Sequence, residues 1–324
     1  MNPAAGEALR FYSFLPAQKS FLEEILAGLA RPQKYIPAKF FYDARGSELF
    51  DAICELPEYY LTRTETALMQ AHAAEMARAL GPACLLIEYG SGASRKTRLL
   101  LDHLAPLAYM PIDIAEEQLR ASAQALAQSY PGMQVLAVCA DYSQPLNLPA
   151  SDAPGIRRKA VYFPGSTIGN FTPEEAVVFL RQARTAAGPG GAMLVGVDLK
   201  KPNAILHAAY NDAQGVTAQF NLNLLTRINR ELGGDFNPEH FRHQAFHNET
   251  AGRIEMHLQS LRAQQVTIQG RRLVFRAGET IHTENSYKYS VAEFQDMARQ
   301  AGFAPRRVWS DAQQYFAVHY LTVE

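Results

Sequence analysis

CLLIEYGSGASR, residues 84–95, runs from an apolar stretch through a bend holding two glycines into a segment of helical spacing. Leu85, Leu86 and Ile87 follow one another without polar interruption, the pattern of a strand buried on both faces. Four more runs of this kind follow: YMPIDI (109–114), MQVLAVCAD (133–141), KAVYFPGS (159–166) and AMLVGVD (192–198). Between them lie the helical stretches 94–104, 115–129 and 173–187. The last opens with Thr172, Pro173 and Glu175, which suit the N-cap, N1 and N3 positions. Alternation of this kind calls for right-handed crossovers, and so for a doubly wound, mostly parallel sheet with helices on both faces.

Outward from this block the period changes. Residues 18–30 and 47–55 read as amphipathic helices, and Thr62 with Glu65 reads as a capping box opening a helix to about Leu80. Residues 203–232 read as one helix. RIEMHLQSLRAQQVTIQ and RRLVFRAG then read as antiparallel strands joined at Gly270, with a further strand from Glu279 to Asn285. A helix at 290–301 and strands at 305–310 and 314–323 return to the sheet as a terminal hairpin. The expectation is an α/β protein with a seven-stranded sheet and a smaller α+β domain. The boundaries are 61–198 with 287–324 for the first, and 1–60 with 199–286 for the second.

Composition narrows the setting. A chain of 324 residues, 48% hydrophobic, can bury a large core. Its 31 basic and 32 acidic residues leave a net charge of -1, with no basic stripe, which argues against nucleic acid or an anionic membrane as partner. Cys54, Cys84 and Cys139 form no CxxC pair and lie among apolar neighbours, as buried thiols of a reducing cytoplasm do. The N-terminus has no export-signal pattern, and no apolar run approaches the ~20 residues that span a bilayer. A cytoplasmic, monomeric protein is expected.

Gly90 and Gly92 let the backbone approach a ligand at the carboxyl end of the strands, although a GxG is also an ordinary tight turn. A dinucleotide fingerprint needs a third glycine at position 95, which is Arg95. Asp113, ending the second strand, suits the two ribose hydroxyls. Asp141 and Tyr142, ending the third, suit an adenine amino group and ring face. Glycines and acids in this order favour S-adenosylmethionine over a nicotinamide dinucleotide, and the architecture resembles the class I methyltransferase fold. Lys96 suits the carboxylate of the cofactor's methionine or is a solvated helix lysine. His240, His243 and His247 have helix-like spacing that suits a transition metal, but no recognisable motif surrounds them; surface histidines are the expectation, with no metal.

Longer runs carry a more specific likeness. KFFYDARGSELFD (39–51), LPEYYLTRTE (56–65), EYGSGASRKTR (88–98), FPGSTIGNFTP (163–173), AAYNDAQGVTAQFN (208–221), RIEMHL (253–258) and HTENSYKY (282–289) resemble the histidine Nα-methyltransferase family of ergothioneine biosynthesis. The likeness extends over nearly the whole chain from Arg31. It implies trimethylation of the α-amine of L-histidine to hercynine, with the acceptor held between a Rossmann-like domain and a domain of N-terminal helices plus the 200–285 insertion. By the same likeness, Asn170 and Tyr210 bond the substrate carboxylate. Tyr59, Glu284 and Ser286 contact the imidazole, Met256 walls its pocket, and Tyr42, with Asn170, serves the reacting amine. Gly90, Gly92, Lys96, Asp113, Asp141 and Tyr142 hold the cofactor. Taken singly, Tyr42 and Tyr59 are also ordinary core aromatics, Asn170 a turn residue, and Glu284 with Ser286 one solvated face of a strand. The alternatives are an N-methyltransferase of the same fold acting on tryptophan or an indolic amine, a non-catalytic adenosylmethionine-binding protein, and, more remotely, a dehydrogenase.

Overall fold

The computed structural model describes residues 8–14, 18–92 and 94–324. Two compact units divide the chain: Met1–Leu15, Arg63–Lys200 and Tyr289–Glu324 form the first, Pro16–Thr62 and Lys201–Lys288 the second.

The first unit is built on one sheet with strands in the order Leu9–Ser13, Gln134–Cys139, Ala108–Asp113, Cys84–Tyr89, Arg158–Phe163, Ala192–Asp198, Phe316–Thr322, Ala304–Ser310. The first six run parallel, and the last two form an antiparallel hairpin at one edge. Every residue of Cys84–Tyr89 and of Ala192–Asp198 is buried, as strands covered on both faces must be. Helices Arg95–Leu104, Glu116–Ser129 and Pro173–Ala187 make the crossovers. The Thr172–Glu175 capping box is present, and a second one, Ser290 with Glu293, opens Val291–Gln300. From Cys84–Tyr89 the chain winds outward on one side and then the other, so the crevice at the topological switch lies beyond that strand's carboxyl end.

Eight strands stand where seven are expected. Leu9–Ser13 pairs with Gln134–Cys139, Leu9 opposite Val135, and joins this unit although residues 1–60 read as part of the other. Five residues of mixed polarity at a half-buried edge carry too little period to be read alone. The helix from Tyr60 to Leu80 also begins before Thr62, so Thr62 and Glu65 make no capping box.

The second unit combines helices Gln18–Leu29, Ala44–Glu55, Asn203–Tyr210 and Val216–Leu232 with a sheet in the order Lys34–Tyr35, Thr280–Tyr287, Arg253–Ser260, Phe241–Asn248. The expected single helix 203–232 is two. Asp212 accepts from the backbone N–H of Val216 and Thr217, each at 2.8 Å, and Gly215 takes φ +70°, which starts a new helix. The long strand from Arg253 is also two. Arg253–Ser260 pairs with both neighbours in the sheet, and only Gln264–Ile268 pairs with Arg271–Phe275 across Gly270. His243 and His247 lie on one face of the strand Phe241–Asn248, but four extended residues hold them roughly 13 Å apart, so the three histidines do not converge on one ion.

Candidate active site

At the carboxyl ends of the first unit's parallel strands, the residues of the glycine-rich turn are tied to the neighbouring strand. Gly90 N–H and Ser91 N–H donate to the Ile112 carbonyl, and Gly92 N–H donates to Asp113 Oδ2 at 2.8 Å. Asp113 Oδ1 accepts from Ala115 N–H at 3.0 Å, which leaves lone pairs on both carboxylate oxygens. Burial lifts the Asp113 pKa above its usual value, against the N–H groups of Ala115 and Gly92. Gly90 has φ +69°, and a Cβ there would sit 3.3 Å from the Tyr142 hydroxyl. Glycine therefore keeps the loop low against that ring. Tyr142 is half-buried and packs edge-on against Tyr89 and Phe163. Asp141 is buried and turns one oxygen to Ser143.

Beneath the loop, the buried Glu88 carboxylate accepts from Thr97 Oγ1 and Tyr109 OH, which ties the strand end to the helix that follows; burial pushes its pKa up to about 8. The hydroxyls of Ser91 and Ser94 are buried with no partner among the described residues. A turn with open backbone, two carboxylates, an aromatic face and unmatched hydroxyls fits a nucleoside bearing an amino acid.

Lys96 is not a solvated helix lysine. Its ammonium pairs with Glu65, whose carboxylate is 1% exposed and also accepts from Gly165 N–H at 2.9 Å. Glu65 thus links the lysine to the loop 164–170, which follows Arg158–Phe163 and carries Asn170, half-buried, at the end of a 3-10 turn. Sequence reading took Glu65 for a helix cap; nothing local marks it as the counter-charge of a residue 31 positions away.

The second unit gathers the other residues expected to hold the acceptor: Tyr42, Tyr59, Tyr210, Met256, Glu284 and Ser286. Tyr42, Phe50, Tyr59 and Tyr210 form a row of edge-on rings, at centroid distances of 5.7, 6.4 and 6.4 Å along it. Burial lifts the Tyr59 phenol well above its ordinary range, and Tyr210, Cys54, Glu284 and Tyr42 add the repulsion of neighbouring negative charge, so these groups share one locale. Glu284 stands opposite the buried Met256 in the sheet and two residues before Ser286, which places all three on one face. That face is not solvated: Ser286 is 4% exposed, and burial pushes Glu284 up to about 7, with the Lys288 ammonium opposing. Tyr210 OH donates to Ser286 Oγ at 2.7 Å, and Lys288 Nζ donates to both hydroxyl oxygens. Lys288 lies in the HTENSYKY run but was not singled out, since a lysine near a strand end ordinarily reaches solvent.

His243 has a structural task here. Its Nε2–H donates to the Tyr210 carbonyl at 2.9 Å while Nδ1 accepts from Asn221, so it anchors the segment bearing Tyr210. On the opposite face of the sheet, Glu255, His257 and His282 bring ligand-type atoms within 4.8 Å of one another. The two imidazoles stack at 4.6 Å with planes 9° apart, and Arg253 bonds the carboxylate. A metal must lie near the plane of each imidazole it binds, so stacked rings do not converge on one ion. A β-bulge between His282 and Glu284 shifts the register, and this puts the histidine stack and the Glu284 carboxylate on different faces.

Among the described residues no helix is long and apolar enough to cross a membrane. A family model described as histidine-specific methyltransferase, SAM-dependent, matches residues 21–323. The chain is 40% identical over 301 residues to a histidine N-alpha-methyltransferase of Mycolicibacterium smegmatis, covering 91% of this chain and 92% of that one. It is 42% identical to the enzyme of the same name from Mycobacterium tuberculosis, covering 89% and 90%. It is 30% identical to the ergothioneine biosynthesis protein 1 of Neurospora crassa, covering 91% of this chain and 34% of that longer one.

Proposed function

The chain belongs to the family of histidine-specific, S-adenosylmethionine-dependent methyltransferases, and from that premise we propose that it transfers three methyl groups in succession to the α-nitrogen of L-histidine, giving hercynine for ergothioneine biosynthesis. The observation that carries the reading is the pairing of Glu284 with Ser286 on one buried sheet face beside the tyrosine row. A carboxylate and a hydroxyl two residues apart are what a ring with two different nitrogens needs. An apolar side chain in their place would leave a buried carboxylate unmatched.

In this reading Gly90, Gly92, Asp113, Asp141 and Tyr142 hold the nucleoside, and Lys96, kept in place by Glu65, meets the methionine carboxylate. S-adenosylmethionine supplies a methyl carbon on a positively charged sulfur when bound. Positive charge moves from sulfur to nitrogen as the methyl moves, so the protein has no new net charge to stabilise. Its work is alignment, which can supply most of the rate gain. Asn170 takes the substrate carboxylate, and Glu284 and Ser286 fix the ring; the Tyr210 hydroxyl, whose single proton already goes to Ser286, braces that serine instead of the carboxylate. The amine attacks only when neutral, and a wall of tyrosines disfavours an ammonium more than water does. The Tyr42 hydroxyl orients the nitrogen lone pair, and water carries the proton away.

Incubation of the protein with histidine and cofactor, followed by mass spectrometry, should show products carrying one, two and three added methyls. Failure to methylate histidine while the cofactor binds refutes the substrate assignment. Accumulation of a monomethyl product alone refutes the trimethylation.

A further inference from the structure

Lys288 stands two residues beyond Ser286, 2% exposed, with its ammonium 2.7 Å from Ser286 Oγ and 3.1 Å from the Tyr210 hydroxyl. Tyr210 in turn donates to Ser286 Oγ at 2.7 Å. An ammonium has three donors and no acceptor, whereas a serine hydroxyl has two lone pairs and one proton. Both lone pairs of Ser286 are therefore occupied, one by Lys288 and one by Tyr210. What Ser286 still offers is its proton, and at 4% exposure bulk water is not there to accept it. Glu284, on the same face, offers the reverse: a carboxylate with lone pairs and no proton.

We infer that Lys288 is a positioning residue that fixes Ser286 as a hydrogen-bond donor and so makes the acceptor pocket select neutral imidazole over imidazolium. The inference rests on the reading of Glu284 and Ser286 as the partners of the substrate ring. Neutral imidazole has one N–H and one bare nitrogen, complementary to a carboxylate and a donor hydroxyl. Imidazolium has two N–H groups, and one of them would meet the proton of Ser286. A protonated Glu284 fares no better, since its O–H would take the bare nitrogen and again turn an N–H toward Ser286. The bound complex thus carries neither of the two protons that the free partners can hold, one on Glu284 and one on the ring. The ammonium acts in the same direction on Glu284, favouring its ionised form against burial. The other groups of this locale are Tyr42, Cys54, Tyr59 and Tyr210. Phenols and thiols ordinarily ionise above pH 8, so between pH 5.5 and 7.5 the exchangeable protons belong to Glu284, the ligand ring and the ligand's α-amine, and the α-amine contributes equally in every variant compared.

The test is the dissociation constant of L-histidine, measured by calorimetry in the presence of S-adenosylhomocysteine from pH 5.5 to 7.5. For the unsubstituted protein, two groups that must both be deprotonated, titrating near 7 and 6.5, weaken binding on the order of a hundredfold across that range, beyond the α-amine's contribution that all variants share. Lys288→Met frees a lone pair on Ser286 to accept the second N–H, and that component of the loss shrinks to about tenfold. Lys288→Arg, which keeps a donor-only group, retains the steep dependence. Ser286→Ala removes the opposing proton without touching the buried charge and flattens the dependence as Lys288→Met does. The double variant is no flatter than either single one. An unchanged slope in Lys288→Met and Ser286→Ala overturns the inference, and so does additivity of the two. Failure of the unsubstituted protein to bind histidine at any pH refutes the acceptor reading itself.

Discussion

Replacing Glu284 tests the acceptor site most directly. The carboxylate is half-buried, burial holds its pKa near 7, and the charge that offsets this is the Lys288 ammonium. Glu284→Gln keeps the shape and one carbonyl acceptor, and turns a charge-assisted hydrogen bond to the imidazole N–H into a neutral one. The difference between those two classes is about 1 kcal/mol, or roughly a fivefold rise in the histidine KM. Glu284→Ala removes the acceptor altogether, at about 2–3 kcal/mol, which raises the histidine KM by roughly 30- to 150-fold. Steady-state kinetics with each substrate varied in turn is the assay. The cofactor KM should move less than about twofold, because the nucleoside residues are a separate set. The protonation sign is checkable too. A carboxyl whose folded pKa lies above its unfolded value of 4.5 contributes stability below that value and loses it as pH rises through about 7. Glu284→Gln should therefore gain stability relative to the unsubstituted protein above pH 7 and lose that advantage below pH 5. Equal rises in both KM values, or a histidine KM unmoved by the alanine, would refute the assignment of Glu284 to the ring.

Three further outcomes are expected. Glu65→Gln strips Lys96 of its buried counter-charge, so cofactor affinity, read by calorimetry, should fall about tenfold, and denaturant unfolding should show a loss of about 2 kcal/mol given the partial exposure of Lys96; an unchanged cofactor affinity contradicts the positioning role. His319 is fully buried with neither ring nitrogen bonded among the described residues, and burial pushes its pKa down to about 4. The unfolded chain thus takes a proton first, so stability is full above pH 6.5 and declines toward pH 4 by up to ~3 kcal/mol; His319→Phe should remove that component of the acid slope in denaturant titrations. Burial raises the thiols of Cys84 and Cys139 to about 11 and 12, so a thiol reagent at pH 8 should label Cys54 in the native protein and reach the other two only on unfolding, as peptide mapping would show.

Much of the first unit was legible along the chain, because a strand buried on both faces writes an uninterrupted apolar run into neighbouring residues. Cys84–Tyr89, Ala108–Asp113, Gln134–Cys139, Arg158–Phe163 and Ala192–Asp198 all fall on such runs. The cap at Thr172 was equally plain, since its partners lie three residues apart. The edge strand Leu9–Ser13 and the strand Phe241–Asn248 were not, as their half-polar patterns depend on which neighbour covers them. The break at Asp212 was written in the chain too, in an acid three residues before a glycine, and was overridden by the helical spacing on either side of it.

The sequence by itself determined the parallel sheet, the glycine turn with its acids after the second and third strands, and the family motifs, because each is a local pattern of neighbouring residues. Only the tertiary structure decided what depends on distant partners. It turned Glu65 from a helix cap into the mate of Lys96, sank Lys288 between Ser286 and Tyr210, and separated His282 from Glu284 by one bulged residue. A charge or a hydroxyl acquires its role from whatever occupies the few ångströms around it, and in a folded chain those neighbours come from elsewhere in the sequence.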